Sequence, residues 1–208
     1  NNYFKMKKFF LTLALAAVAT SAFAQIEGLS AGAGYLTNTL KSTYTSGSSS
    51  TTHSYDFGGF YAGVNYTLLE IGPGIAITPG LQFASVTYKE DNTTWGESYL
   101  AVPVNFSYKL DLVPGTLAIQ PYAGPTFAFG LGSKNTYTIG SVSTTSDMYG
   151  DDSDYGKFDL LVGAGIALDI VDMIRVTIGY DLGLLDRDSS DNGKIKSSNL
   201  NFGVAYLF

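Results

Sequence analysis

Residues 199–208 constrain the fold more than any other stretch of this chain. Leu200, Phe202, Val204, Tyr206 and Phe208 share one side of an extended backbone, while Asn199, Asn201, Gly203, Ala205 and Leu207 share the other, because successive side chains of a strand point to opposite faces. One face is large and apolar; the other is mostly small or polar. A strand of a water-soluble sandwich accounts for the alternation. It does not account for an ending on an aromatic with no polar tail after it.

The same period of two recurs upstream. Leu100, Val102, Val104, Phe106 and Tyr108 oppose Ala101, Pro103, Asn105 and Ser107. Leu160, Val162, Ala164, Ile166 and Leu168 oppose Asp159, Gly163, Gly165 and Asp169, and Val176, Ile178, Tyr180 and Leu182 oppose Arg175, Thr177, Gly179 and Asp181. Weaker versions cover residues 27–36, 55–68, 75–88 and 117–131. Apart from the N-terminal stretch, nothing carries the i, i+3, i+4, i+7 spacing of an amphipathic helix. The reading is eight strands, each with the roughly 9–11 residues that a tilted membrane strand requires.

The gaps between them alternate in length. Those at 37–54, 89–97, 132–157 and 186–197 are medium to very long, and those at 69–74, 111–116 and 171–173 are short. Turn-forming residues fill the short ones: Gly72-Pro73-Gly74, Asp111 with Pro114-Gly115, and Val171-Asp172. Short turns on one side and longer loops on the other characterise barrels of an outer membrane. An even strand count predicts both termini on the short-turn side, the periplasm.

Met6, Lys7 and Lys8 precede an apolar run from Phe9 to Val18, followed by Ala22-Phe23-Ala24. A basic start, a short apolar stretch and a small-x-small end are the parts of a secretory signal peptide; the run is shorter than the roughly 20 residues of a membrane-spanning helix. The expected organisation is an upstream remnant at 1–5, a cleaved signal peptide at 6–24 and one barrel domain at 25–208. Lys5, Lys7 and Lys8 leave with the leader and no acid does, so a chain of net charge −6 becomes more acidic still. Such a surface argues against nucleic acid, which calls for a basic stripe. The absence of cysteine excludes disulfides, thiolate metal ligands and a cysteine nucleophile.

Backbone N–H and C=O groups in hydrocarbon must all be paired, so a spanning sheet has to close on itself. The predicted fold class is therefore all-β, an eight-stranded antiparallel up-and-down transmembrane β-barrel. Tyr35, Tyr66, Tyr108, Phe127, Phe129, Tyr180, Tyr206 and Phe208 are the expected outward aromatics near the two interfaces. Tyr61, Tyr99 and Tyr122, with small and polar residues, should fill the inside. Eight strands enclose room for side chains but no wide pore. Pro79, Pro103, Pro121 and Pro125 fall within strands, where each removes a ladder hydrogen bond; bulges, or positions beyond the hydrocarbon, are expected there.

Several motifs recur in order: Tyr99-Leu100-Ala101-Val102-Pro103-Val104, Gln120-Pro121-Tyr122-Ala123-Gly124-Pro125, and Phe158-Asp159 followed by Gly163-Ala164-Gly165. Tyr180-Asp181-Leu182-Gly183-Leu184 and the final Gly203-Val204-Ala205-Tyr206-Leu207-Phe208 complete the set. In this the chain resembles the PorT-like outer-membrane β-barrel domain family, also described as porin-family or OmpX-like, over nearly all of 25–208. Each motif alone is degenerate; their order and spacing carry the resemblance. It implies a barrel in a Gram-negative outer membrane and says little about activity. Ala101 departs from the pattern, because members often carry a lumen-facing Glu there.

Candidate chemistry is sparse. His53 stands beside Ser54 and Asp56, and some eight-stranded barrels modify lipid A with a rim histidine plus serine or an acid. The surrounding run is saturated with Ser and Thr, so the reading is no catalytic residue. Asp147, Asp151, Asp152 and Asp154, and later Asp186, Asp188 and Asp191, offer hard oxygen ligands, but without EF-hand spacing. They read as hydrated acidic loops, with no metal and no cofactor. Asp169, Arg175 and Asp181 form a candidate lumen ion-pair network, since buried charges need partners. Trp95, placed in the second long loop, reads as a membrane anchor, with a partner-binding aromatic as the alternative.

The expectation is an integral outer-membrane monomer and not an enzyme, in contact with outer-membrane lipid and lipopolysaccharide. Leu200, Phe202, Val204, Tyr206 and Phe208 would be its signal to the barrel-assembly machinery. Its role would be structural or surface-interactive through four long loops, chiefly 132–157. The alternatives are a lipid A-modifying enzyme and passage of small solutes or ions. A soluble lipocalin-like binder would need polar outer faces, which Leu100–Tyr108 does not provide.

Overall fold

The computed structural model describes residues 26–70, 74–150, 153–190 and 193–208. The expected leader, Gln25, and Gly72-Pro73 of the first short turn lie outside the described residues. In chain order the strands are β1 (Leu29–Ser46), β2 (Ser49–Tyr66), β3 (Leu69–Glu70), β4 (Ile75–Glu90), β5 (Thr93–Tyr108), β6 (Leu110–Val113), β7 (Leu117–Ile139), β8 (Val142–Asp147), β9 (Phe158–Ile170), β10 (Ile174–Gly183) and β11 (Gly193–Leu207). Eight of them close a ring, β1-β2-β4-β5-β7-β9-β10-β11 and back to β1, antiparallel throughout. The short β3 and β6 flank turns, and β8 folds back on β7.

The closing seam pairs Ser30 with Leu207 and continues to Tyr44 opposite Gly193. The Phe208 N–H donates to the Leu29 carbonyl at 3.0 Å, so the two described ends meet. They meet at the short-turn end: the Leu207 N–H bonds the Met173 carbonyl at 2.8 Å, and the Val171 N–H bonds the Thr116 carbonyl at 2.8 Å. Val171 and Asp172 both take positive φ, at 49° and 52°, a conformation that is costly for a β-branched residue and that turns β9 into β10 in three residues.

The outward face is apolar. Tyr35, Phe60, Val64, Tyr66, Phe106, Tyr108, Phe127, Phe129, Val162, Ile166, Tyr180, Phe202, Val204 and Tyr206 are all exposed. Inside, Tyr99 is buried, while Tyr61 and Tyr122 are half-buried. Glycine makes room for the last two: a Cβ at Gly165 or Gly179 would collide with Tyr122, and one at Gly34 or Gly203 with Tyr61. Ala101, buried and inward, lines the lumen.

Two expectations need correction. Residues 37–54 and 89–97 are mostly strand: β1 and β2 run on as a paired hairpin to a turn at Gly47 (φ 61°), and β4 and β5 to Asp91 (φ 45°). Their Ser/Thr content resembles a loop, yet threonine suits a pleated surface, and Thr43 hydrogen-bonds Thr52 across the hairpin at 2.9 Å. The prolines, for their part, make no bulges. Pairing of β5 with β7 skips from Pro103↔Thr126 to Phe106↔Ala123 in unchanged register, and β4 with β5 skips between Pro79↔Val104 and Gln82↔Ala101. The ladder is interrupted without slipping. The one shift in β5–β7 falls at Ser98/Tyr99, away from any proline.

Candidate functional site

At the end opposite the short turns, one carboxylate organises the barrel mouth. β5 begins at Thr93, earlier than expected, so the alternation carries Trp95, Glu97 and Tyr99 onto the inward face. Glu97 is only 4% exposed. Its Oε1 accepts from Arg187 Nη2 at 2.7 Å and from the Tyr149 hydroxyl at 2.5 Å, and its Oε2 accepts from the Tyr155 hydroxyl at 3.0 Å. Arg187, itself 6% exposed, also donates through Nε to the Gly156 carbonyl at 3.0 Å and lies 4.3 Å from the centre of the Tyr155 ring. The Tyr149 and Tyr155 rings stack at 5.6 Å. Residues 148–150 and 153–157 thereby fold over the mouth, fastened by Met148 N–H to Ser133 O (2.8 Å) and Gly130 N–H to Lys157 O (2.7 Å).

Burial, reinforced by the Glu97 charge, raises the Tyr149 and Tyr155 hydroxyls well above 10.0, so both remain protonated donors. Burial alone would lower the Arg187 guanidinium, but Glu97 and the two tyrosines outweigh it and the net direction is upward. Trp95 corrects the anchor reading. It is 7% exposed and faces inward, its Nε1 donates to Ser133 Oγ at 2.8 Å, and its ring meets Phe57 and Tyr155 edge-on.

At the short-turn end a second pair fills the lumen. Arg175 donates twice to Asp169, Nε to Oδ1 at 2.6 Å and Nη2 to Oδ2 at 2.8 Å. The two face each other across the β9–β10 turn. Asp181, expected in the same network, is not ion-paired with Arg175; it accepts from Asn201 Nδ2 at 3.1 Å. Register explains the split, because Asp181 lies opposite Gly163, six residues along β10 from Arg175. Between the two ion pairs lies a cavity of about 140 Å³ of mixed lining, which includes Tyr61, Tyr99, Tyr122, Asn201, Asp181 and Leu161.

The remaining candidates do not assemble. His53, on β2, pairs with Ser42 of β1, and strand alternation turns its side chain to the opposite face from Ser54 and Asp56. Asp56 instead accepts from the Thr39 hydroxyl at 2.6 Å. The described loop aspartates close turns: Asp147 accepts from Tyr149 N–H, Asp186 from Asp188 and Ile195 N–H, and Asp188 from Ser190 N–H. Asp154 accepts from the Ser189 hydroxyl. Asp151, Asp152 and Asp191 lie outside the described residues. Among the described residues no group of three or more His, Cys, Asp or Glu could hold a metal ion. The C-terminal Leu200, Phe202, Val204, Tyr206 and Phe208 lie along the outer wall, and the Tyr206 and Phe208 rings meet edge-on at 5.0 Å. Sequence reasoning missed Glu97, Tyr149, Tyr155 and Arg187, which are brought together from three separate segments.

Residues 10–208 match the outer membrane protein beta-barrel domain family. No curated protein sequence matches the chain. Solved structures of similar form include Ail, the attachment invasion locus protein of Yersinia pestis, at 16% identity and TM-score 0.48 over 88% of this chain and 100% of that one. Neisserial surface protein A follows at 13% identity and TM-score 0.49, over 88% and 98%. The outer membrane enzyme PagL is similar at 13% identity and TM-score 0.43, over 80% and 97%. On the strength of a family match that runs almost end to end, the chain belongs to the outer membrane protein beta-barrel domain family and is an integral protein of the outer membrane.

Proposed function

We propose that the protein is a non-enzymatic surface-interaction barrel that presents its long strand extensions, rather than flexible loops, to extracellular partners. The observation that carries this reading is a pair of unpaired sheet edges beyond the ring. Among the described residues, 49–57 of β2 pair only with β1, since β2–β4 pairing starts at Gly58↔Thr87, and β8 pairs only with β7. Residues 49–54 and β8 are Ser/Thr-rich and exposed, while Phe57 turns into the core. Free strand edges accept an added strand through main-chain hydrogen bonds, with side chains setting the choice of partner. Lysine on an edge blunts such pairing. Cells bearing Thr51→Lys/Thr52→Lys together with Thr144→Lys/Thr145→Lys should lose adhesion to extracellular-matrix proteins that the wild type retains. Adhesion equal to that of barrel-free cells in the wild type itself would overturn the reading.

The same reading places both termini in the periplasm after removal of 6–24, has the barrel act as a monomer, and assigns 200–208 to recognition by the barrel-assembly machinery. A lipid A-modifying activity gains no support from the separated His53, Ser54 and Asp56. Unchanged lipid A species on overexpression is the expected mass-spectrometric result.

A further inference from the structure

One charged patch has no part in the mouth, the lumen or the free edges. Lys41 of β1 stands directly opposite Lys196 of β11, and Thr43 opposite Lys194. All three lysines project from the outer wall, because their neighbours turn inward: Leu40 and Ser197 are buried, and Ile195 packs on the buried cluster. Like charges set directly opposite one another destabilise a sheet. Among the described residues none of the three is ion-paired. Asp56 on the same wall accepts from the Thr39 hydroxyl, and Asp186 beside the patch accepts from the Ile195 N–H at 2.8 Å.

The height of this patch can be read from β10. Ile174, Val176, Ile178, Tyr180, Leu182 and then Leu184 are exposed in succession on the outside. A strand of that span, rising ~3.3 Å per residue at a tilt of about 40°, covers roughly 25 Å, the height of the apolar band of an outer-membrane barrel. Leu184 therefore marks the upper rim of the band. Lys196 Nζ donates to the Leu184 carbonyl at 2.5 Å, which holds that ammonium at the rim. Lys41 lies ~5 Å across the pair and Lys194 ~7 Å farther out along the strand, both at the level of lipid headgroups. At that level lysine stems lie along apolar surface with the charge in the polar layer.

We propose that Lys41, Lys194 and Lys196 form a binding site for the phosphate of a phosphorylated outer-leaflet glycolipid, the lipid A portion of lipopolysaccharide. The opposed lysines supply positive charge that no ion pair among the described residues takes up. Leu200 and Phe202 below them on β11 face outward, where the acyl chains of the same lipid run. The site rests on membership of the outer-membrane family and not on the free-edge reading.

The test uses the full barrel, folded into phosphatidylcholine nanodiscs, with lipid occupancy read by native mass spectrometry. Wild-type protein should prefer phosphorylated over dephosphorylated lipid A by about 10- to 100-fold, from roughly equal contributions of three lysines. The triple variant Lys41→Gln/Lys194→Gln/Lys196→Gln, with its heat-shifted gel band checked for folding, should lose the preference. Lys89→Gln/Lys134→Gln should keep it. Equal occupancy by the two lipids in the wild type would overturn the proposal, whatever the variants do. So would a preference that survives in the triple variant, or displacement of the lipid by inorganic phosphate alone, which would make this a free-anion site.

Discussion

Replacing Arg187 by alanine should open the barrel mouth while leaving the wall intact. The substitution removes the 2.7 Å ion pair to Glu97, the 3.0 Å bond to the Gly156 carbonyl and the guanidinium 4.3 Å from the Tyr155 ring. What remains is a carboxylate 4% exposed with two tyrosine donors and no countercharge. Removing one member of a buried ion pair costs about 3–5 kcal/mol, and loss of a desolvated cation–π contact adds about 1–2 kcal/mol. At ~1.4 kcal/mol per factor of ten, a 4 kcal/mol loss moves the closed-to-open equilibrium of the mouth roughly a thousandfold. The ladder bonds of the ring do not involve Arg187, so the heat-shifted gel band should persist. Trp95, the single tryptophan of the chain, sits 5.5 Å from Tyr155 ring to ring and reports directly. Its emission should move to the red and become quenchable by acrylamide. The double variant Glu97→Ala/Arg187→Ala should be less disturbed than the sum of its single variants, by about 1.5–3 kcal/mol of coupling. Unchanged Trp95 emission in Arg187→Ala, or strict additivity of the two single variants, would refute the argument.

Because the Tyr149 and Tyr155 hydroxyls are raised above 10.0 by burial and then by Glu97, their contribution is intact below pH 10 and falls as pH rises, by up to ~1.4 kcal/mol per pH unit per tyrosine; Trp95 quenching that sets in already at pH 8 would contradict this. At the other end Arg175→Ala strands Asp169, which is 1% exposed, and should lower unfolding stability in urea by about 3–5 kcal/mol. Asp181→Asn, which breaks no ion pair, should shift the same midpoint by under ~1 kcal/mol. Gly165→Ala should cost about 1–3 kcal/mol through collision with Tyr122, whereas Gly132→Ala, whose nearest neighbour is Ser98 Oγ at 3.7 Å, should leave the heat-shift temperature nearly unchanged.

The spanning ring was legible because each wall strand must satisfy lipid on one face and a crowded lumen on the other, and that demand writes itself as period two. β9, β10 and the end of β11 keep it without a break. The Asp169–Arg175 pair was legible too, since a tight turn at 171–173 sets those residues opposite each other. Past the membrane the constraint changes. Residues 37–54 no longer need an apolar face, so a Ser/Thr-rich hairpin reads as loop although its backbone is fully paired. Trp95 was misplaced for the same reason: a strand begun at 98, three residues past it, leaves it in a loop, whereas β5 starts at Thr93. The Glu97–Arg187 contact joins residues 90 positions apart. Only closure of the ring brings β5 near the segment after β10, and no local spacing announces that.

The outer end of the molecule divides into parts that tolerate change very differently. The hairpin tips at Gly47 and Gly140 have nothing within 4 Å of an added Cβ, though each keeps a left-handed φ of about 60°. Sequence grafted beside those two tips would extend a paired ribbon without touching the wall. Residues 148–150 with 153–157, and residues 184–190, have no such freedom, since Tyr149, Tyr155 and Arg187 among them all bond one carboxylate on β5. They constitute a single heritable module: a foreign version of either one alone leaves Glu97 without its complement, and a workable exchange between relatives has to carry both.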